Sequence, residues 1–510
     1  MTILPDFHKA GSRSGTPTRI ILFLVAILSL VFVAHRTRRW YRLRHVPGPL
    51  ACGLSSLPMT YWSFEGRIHE HWKALAEKYG PLVRIGPNEV MCTDGEVLRR
   101  ILSVRSTYKK DDWYIAARTH SDYDNILSMR DKDLRRERKK KLMPAYIGKG
   151  TEDFEIGIDR SIAAWMDLID RKYLATGADF RPLDLALHTH YYSLDALGEV
   201  AYSRPLGYLA ADSDVNNVIA ISKKALPLMI GFGNYTPLYR LLHKWPFSYV
   251  LPRSGDQAGL GAILGISSAL IEERLRPDAK PQRDMLQCLI SSGLTREELD
   301  VEVGLQFFAG TDSIASAIRM TLLFLISTPS AYRKLQSEID TAKLSTPIRN
   351  AEAQALPYLQ AVIHEGLRVF PPIGSALAYK NVPAGGDTIA GCALPAGTRV
   401  ATGAAIFAMC RSKDLWGPDA DVFRPERWLE AGEEEVAAMG KVAALNFSGG
   451  QFECPGRVLT FMHLNKVIPE LLRRYDLTVV NPVRPARIRG AMMWLMEDMW
   501  IRVEKRQGCQ

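Results

Sequence analysis

The chain has 510 residues, 47% apolar and 24% charged, an ordinary composition for one large domain or two with a sizeable core. The net charge of +10 points to an anionic partner: a membrane, a nucleic acid or an acidic protein. Seven scattered cysteines, none in a C-x-x-C pair, exclude a disulfide framework and a zinc ribbon and fit a reducing compartment.

After a short segment over residues 1–19, Ile20 to Ala34 read IILFLVAILSLVFVA, broken only by Ser29. That length suits a short membrane span or the apolar part of a signal peptide. Bulky Phe32, the third residue back from a cleavage point after Ala34, argues against cleavage. Arg36, Arg38, Arg39, Arg42 and Arg44 outnumber Lys9, Arg13 and Arg19, so the positive-inside bias leaves the body in the cytosol. Residues 20–36 are read as an uncleaved transmembrane anchor, with Trp40 and Tyr41 at the interface. Residues 37–50, ending Val46-Pro-Gly-Pro49, form a basic, proline-rich hinge that no helix can cross. Residues 51–510 are the body.

Helical patterns dominate that body. Thr295-Arg-Glu-Glu298 is a capping box, and no proline follows until Thr328-Pro329. About thirty helical residues at 1.5 Å each predict a helix of some 45 Å across the domain. Leu356 to Pro372 reads as a second helix, with a proline at its start and a double proline as its stop. Short β-prone pieces between Ala376 and Thr402 predict a small sheet. The fold class is mainly α with a small β-rich part.

One cysteine has an unusual setting. Phe447-Ser-Gly-Gly-Gln-Phe-Glu-Cys-Pro-Gly456 places Cys454 before Pro455, where a helix is predicted to begin. Unpaired N–H groups and the helix dipole favour a thiolate there. Gly449, Gly450 and Gly456 let backbone approach a flat partner, and Phe447 can shield one side. From these residues alone Cys454 is a metal ligand, a nucleophile awaiting a histidine base, or a buried structural cysteine.

F-x-x-G-x-x-x-C-x-G resembles the haem-binding signature of the cytochrome P-450 superfamily. Ala309-Gly-Thr-Asp-Ser313, Glu365-Gly-Leu-Arg368 and Phe423-Arg-Pro-Glu-Arg-Trp428 follow that family's order. The likeness runs from about Pro47 to the carboxyl end and is nearest to membrane-anchored filamentous-fungal members of specialised metabolism. It implies the cytochrome P-450 fold and haem b with Cys454 as the axial thiolate. Phe447, Gly450, Gly456, Ala309 and Gly310 would contact the cofactor. It implies further that Asp312 and Ser313 relay protons, with Ser313 in place of the commoner threonine. Glu365, Arg368 and Arg427 would form a buried network, although by spacing alone Glu365 and Arg368 make only an i,i+3 surface pair.

Arg130 to Lys141 hold eight basic residues in twelve. Such a run is usually solvated. The resemblance makes it the docking face for an NADPH-dependent flavoprotein reductase, with an inner side toward the haem propionates. The family's usual propionate partners are altered, since Phe452 replaces an arginine. Anchoring is therefore expected on Arg135, Lys139 and Lys380.

The implied activity is oxidation of a lipophilic small molecule, such as a terpenoid, polyketide or alkaloid, by an enzyme of the endoplasmic-reticulum membrane. Trp113, Tyr114, Phe232 and Tyr235 are candidates for the access path. Two rival readings remain at this point: an oxygen-independent isomerase or dehydratase, and a non-catalytic haem-binding protein. Nucleic acid is not an expected partner.

Overall fold

The computed structural model describes residues 15–506 except 121, 235–240, 243, 245, 247–258 and 492. Tyr235 and the side chain of Phe232, both expected on the access path, lie outside the described residues. Helix α1 (Gly15–Arg42) carries the apolar run and continues into the basic segment. From Arg19 to Arg42 it is long and apolar enough to cross a membrane, and the body buries none of it. The hinge is docked on the body rather than loose. Leu43 and Val46 are buried, Arg42 Nη2 donates to Ala396 O at 2.7 Å, and His45 Nε2 lies 2.8 Å from Ala393 O.

Five short strands make the larger sheet: β1 (Leu82–Arg84), β2 (Glu89–Cys92), β3 (Lys109–Lys110), β4 (Lys380–Asn381) and β5 (Arg399–Ala401). Their spatial order is β1-β2-β5-β4-β3. The β2–β5 pair is parallel, so the chain must cross the body between them, and it builds most of the helical domain on the way. The return sets Lys110 of β3 opposite Lys380 of β4 in an antiparallel ladder.

Helix α2 (Lys132–Tyr146) starts at Asp131, whose carboxylate accepts the N–H groups of Asp133 and Leu134. Its i,i+3 spacing turns Arg135 and Arg138 inward and leaves Arg136 and Lys140 in water. The helical core is built on α3 (Phe154–Leu168) and α4 (Leu185–Tyr202), while α5 (Val218–Asn234) packs on the 3-10 turn Asp112–Ala117.

The predicted 45 Å helix is interrupted. Helix α6 (Arg296–Ala309) ends at Gly310 and α7 (Asp312–Ile326) begins after Thr311. The capping box at Thr295 and Glu298 is formed. The break has a local cause: the Thr311 hydroxyl donates to Phe307 O and the Ser313 hydroxyl to Ala309 O, both at 2.7 Å. Such back-bonding competes with the helical ladder and bends it, and Gly310 adds the weakest helix former after proline at the same point.

Helix α8 (Pro357–Val369) has Pro357 in its first turn, as predicted. Helix α9 (Arg457–Arg474) starts two residues later than Pro455 suggested, with Gly456 as its N-cap. A second sheet pairs β6 (Tyr475–Val479) with β9 (Trp500–Lys505), and β7 (Arg487–Ala491) with β8 (Met493–Glu497) forms a hairpin.

Candidate active site

Cys454 lies on an irregular loop between two 3-10 turns and α9. Its N–H donates to Phe447 O at 2.9 Å, closing the loop on itself. Gly450 is required at its position. Its φ is +53°, and a Cβ there would lie 2.6 Å from Leu102 O. Phe447 is buried, 5.6 Å from the Phe461 ring and under the Arg457 guanidinium. Gly456 leaves room above the sulfur, since a Cβ there would sit 3.8 Å from Sγ.

The backbone N–H groups of Gly456 and Arg457 and the Lys139 ammonium favour the thiolate. Burial and Glu453 oppose them and prevail, so the thiol sits above its ordinary range. The helix terminus alone therefore does not ionise Cys454, contrary to the simple dipole expectation. A coordinated metal would reverse that balance, because its charge deprotonates a ligating thiol outright. The sulfur is deep in the protein, yet the residue is solvent-accessible. It therefore lines a hollow rather than packing into the core. Ala309 is likewise accessible between buried Phe308 and Thr311, as a residue lining a hollow would be.

A second feature bears on what occupies that hollow. The Phe452 ring is ringed by three cations: Arg135 Cζ at 4.5 Å from its centroid, Lys380 Nζ at 4.6 Å and Lys110 Nζ at 5.9 Å. All three are buried. Arg135 donates to Gln451 O and Oε1 at 2.5 and 2.9 Å. Lys380 donates to the Tyr114 hydroxyl at 2.5 Å, and Lys110 to Ile126 O and Leu127 O at 3.2 and 2.7 Å. Among the described residues none of the three pairs with a carboxylate. Burial and mutual repulsion lower the pKa of each lysine, Lys380 to about 7. A buried cluster of like charges without an anion is costly, and a dianionic group beside Phe452 would remove the cost. The residues present thus fit a metal-bearing cofactor that takes a thiolate ligand and carries carboxylates.

Lys139 stands apart from this cluster. Its charge is felt by Glu453 and Cys454, and burial lowers its pKa. Lys110 was not among the expected contacts, and nothing in the sequence marks it, because only strand pairing brings it to Lys380. Tyr114 is buried against Lys380. On the other side of the hollow, Asp312 is buried with Oδ1 2.5 Å from His190 Nε2.

Glu365, Arg368 and Arg427 are all buried. Arg368 forks onto Glu365 at 2.8 and 2.7 Å; Arg427 Nε and Trp428 Nε1 complete the carboxylate at 3.0 and 2.9 Å. Arg368 also donates to Cys410 O and Ala420 O. The surface-pair reading from spacing is overturned: α8 turns this face inward against the segment that precedes the cysteine loop.

A family model for cytochrome P-450 matches residues 49–499. The chain is 37% identical over 496 residues to cytochrome P-450 monooxygenase ABA1 of Pyricularia oryzae, spanning 95% of this chain and 96% of that one. It is 34% identical over 481 residues to cytochrome P-450 monooxygenase abl1 of Leptosphaeria maculans, spanning 92% and 84%. It is 34% identical over 476 residues to cytochrome P-450 monooxygenase aba1 of Botryotinia fuckeliana, spanning 92% and 93%. This family implies a cysteine-ligated haem, which the thiol and the cation cluster suit. The chain belongs to the cytochrome P-450 family and is a monooxygenase.

Proposed function

We propose that this enzyme inserts oxygen into a lipophilic small molecule of fungal specialised metabolism, a terpenoid, polyketide or alkaloid, at the cytosolic face of the endoplasmic-reticulum membrane. When bound, haem supplies reductive activation of dioxygen and transfer of one oxygen atom to substrate, the other leaving as water. Cys454, whose N–H is held by the Phe447 carbonyl and whose sulfur faces the N–H groups of Gly456 and Arg457, would supply the thiolate that ligates the iron. Arg135, Lys110 and Lys380, gathered around Phe452, would hold the propionates. Lys139 lies close enough to stabilise the thiolate's charge.

Asp312 and Ser313 manage protons on the opposite side. Ser313 keeps its hydroxyl oriented by donating to Ala309 O. Asp312 is the buried carboxyl next to it. NADPH electrons arrive through a reductase, for which exposed Arg136, Lys140 and Lys132 of α2 offer positive charge. Helix α1 keeps the enzyme at the bilayer, where lipophilic substrates concentrate.

The observation carrying this reading is one accessible cysteine, its sulfur faced by the N–H groups of Gly456 and Arg457, within a cytochrome P-450 chain. Reduced protein exposed to carbon monoxide should show the far-shifted Soret band of a thiolate-ligated haem, and Cys454→Ser should lose it. An unshifted band in intact holoprotein would overturn the ligand assignment. Metabolite profiles of a strain lacking the gene should show a less oxygenated lipophile accumulating, which reductase-containing microsomes then oxidise.

A further inference from the structure

His190 belongs to none of the motifs above, yet it is the residue bound to Asp312. It projects from α4, is buried, and bridges two groups of α7: Asp312 Oδ1 at 2.5 Å from Nε2, and Arg319 Nη1 at 3.2 Å from Nδ1. A guanidinium can only donate hydrogen bonds. Nδ1 must therefore accept from Arg319, which places the ring hydrogen on Nε2, directed at the carboxylate. Arg319 is itself immobilised. Nη1 donates to Ala186 O at 3.2 Å, and Nη2 to Ser316 Oγ and Trp494 O, both at 2.9 Å. These bonds tie the arginine to α4, α7 and β8 together.

The imidazole thus separates a carboxylate from a guanidinium on one helix face. Protonating it would place two cations side by side in a buried site. Burial, Arg319 and Lys223 of α5 lower its pKa, and Asp312 opposes them without reversing the direction. The ring stays neutral near neutral pH. It is also a poor carrier of protons, because a proton passing through would have to occupy the lone pair already engaged by Arg319. Asp312 Oδ2, in contrast, takes no hydrogen bond among the described residues and is not sealed from water.

We propose that His190 is a positioning residue for proton transfer at Asp312: a neutral Nε2–H donor, fixed by Arg319, that holds Oδ1 and leaves Oδ2 to exchange protons beside Ser313. This rests on the reading of Asp312 as the relay acid. Glutamine is the informative substitute, since its amide N–H and carbonyl are spaced much like the two ring nitrogens. It can donate to Asp312 and accept from Arg319, and it cannot titrate.

The test uses reductase-reconstituted holoenzyme and reads the share of consumed NADPH that emerges as hydrogen peroxide, which rises when proton delivery falters. The carbon monoxide spectrum serves as a check on haem loading. His190→Leu should raise the peroxide share by roughly tenfold, the equivalent of one lost hydrogen bond to a charged group. His190→Gln should restore it to near the wild-type value across pH 6–8. Equal peroxide shares for wild type and His190→Leu overturn the proposal, and so does a His190→Gln enzyme that behaves like His190→Leu. Should Asp312→Asn leave the share unchanged, the relay reading falls, and this assignment with it. An effect at Asp312 without one at His190 sinks this assignment alone. Independently of turnover, ¹⁵N-histidine spectra assigned by His190→Gln should show a neutral ring protonated at Nε2; the other tautomer or an imidazolium overturns the proposal.

Discussion

Lys110 and Lys380 stand directly opposite each other across the β3–β4 ladder, both buried and neither paired with a carboxylate among the described residues. Like charges at paired strand positions repel. Three hydrogen bonds to carbonyls and one to the Tyr114 hydroxyl, together with the aromatic faces of Tyr114 and Phe452, soften that repulsion without neutralising it. An anion at hand would relieve the cost that remains. The arrangement explains how Phe452 can occupy the place where an arginine is expected: the positive charge has moved to two strands and α2.

Replacing Lys380 by methionine should have opposite effects with and without haem. In the holoprotein it removes a hydrogen bond to a charged group, about 1.5–3 kcal/mol, so haem should transfer to apomyoglobin roughly tenfold faster or more. In haem-free protein the folded state binds its Lys380 proton more weakly than the unfolded chain, about 7 against 10.5. Between those values the unfolded state holds more protons, so stability increases as pH rises through this window. Thermal unfolding at pH 7 and pH 9.5 should show that rise in the wild type and a smaller one in Lys380→Met. Equal slopes would contradict the buried, unpaired lysine.

Arg368→Ala should leave the Glu365 side chain buried with part of its hydrogen bonding gone. The expected loss is about 3–5 kcal/mol, enough to release haem or prevent accumulation of folded protein. Arg368→Lys should rescue little, because an ammonium cannot reproduce the fork onto Glu365 while also reaching Cys410 O and Ala420 O. Haem content and melting temperature of both variants check this, and a wild-type-like Arg368→Lys refutes it.

Two glycines should respond in opposite directions to alanine. At Gly450 the positive φ and the 2.6 Å approach to Leu102 O make Gly450→Ala cost about 1–3 kcal/mol and loosen the cysteine loop. Gly440 lies within the helix Glu433–Ala443 and a Cβ there meets nothing within 4 Å. Gly440→Ala should stabilise by roughly 0.5–1 kcal/mol. Melting curves of the two holoproteins, compared with wild type, decide both.

The cysteine loop and the capping box at Thr295 were legible because each rests on neighbours in the chain, a glycine turn and a hydroxyl three residues from a glutamate. The break near Gly310 was not, since the pattern reads as one continuous helix and the hydroxyls of Thr311 and Ser313 bond back to the preceding turn only once it has folded. The start of α9 was misplaced by two residues, since Pro455 tolerates a helix start but Gly456 takes the cap. The spacing of Glu365 and Arg368 spoke for a surface pair, and it was burial of that face by the segment Cys410–Arg427 that made the pair structural. His190 and Lys110 carried no signal at all. A histidine within an apolar helix and a lysine at a strand edge acquire meaning only from what folds against them.

By itself, then, the amino-acid order determined the chemistry available here: a thiol behind a glycine turn, an apolar run with arginines after it, a carboxyl and a hydroxyl at a helix break. Which charges share the hollow was decided by tertiary structure alone. The parallel pairing of β2 with β5 carries the chain across the whole body before β4 meets β3, and that closure gathers Lys110, Arg135 and Lys380, hundreds of residues apart at the extremes, around one ring. Local sequence periodicity reports which face of an element is buried; the partner against which it is buried is fixed by long-range packing, which has no period to read.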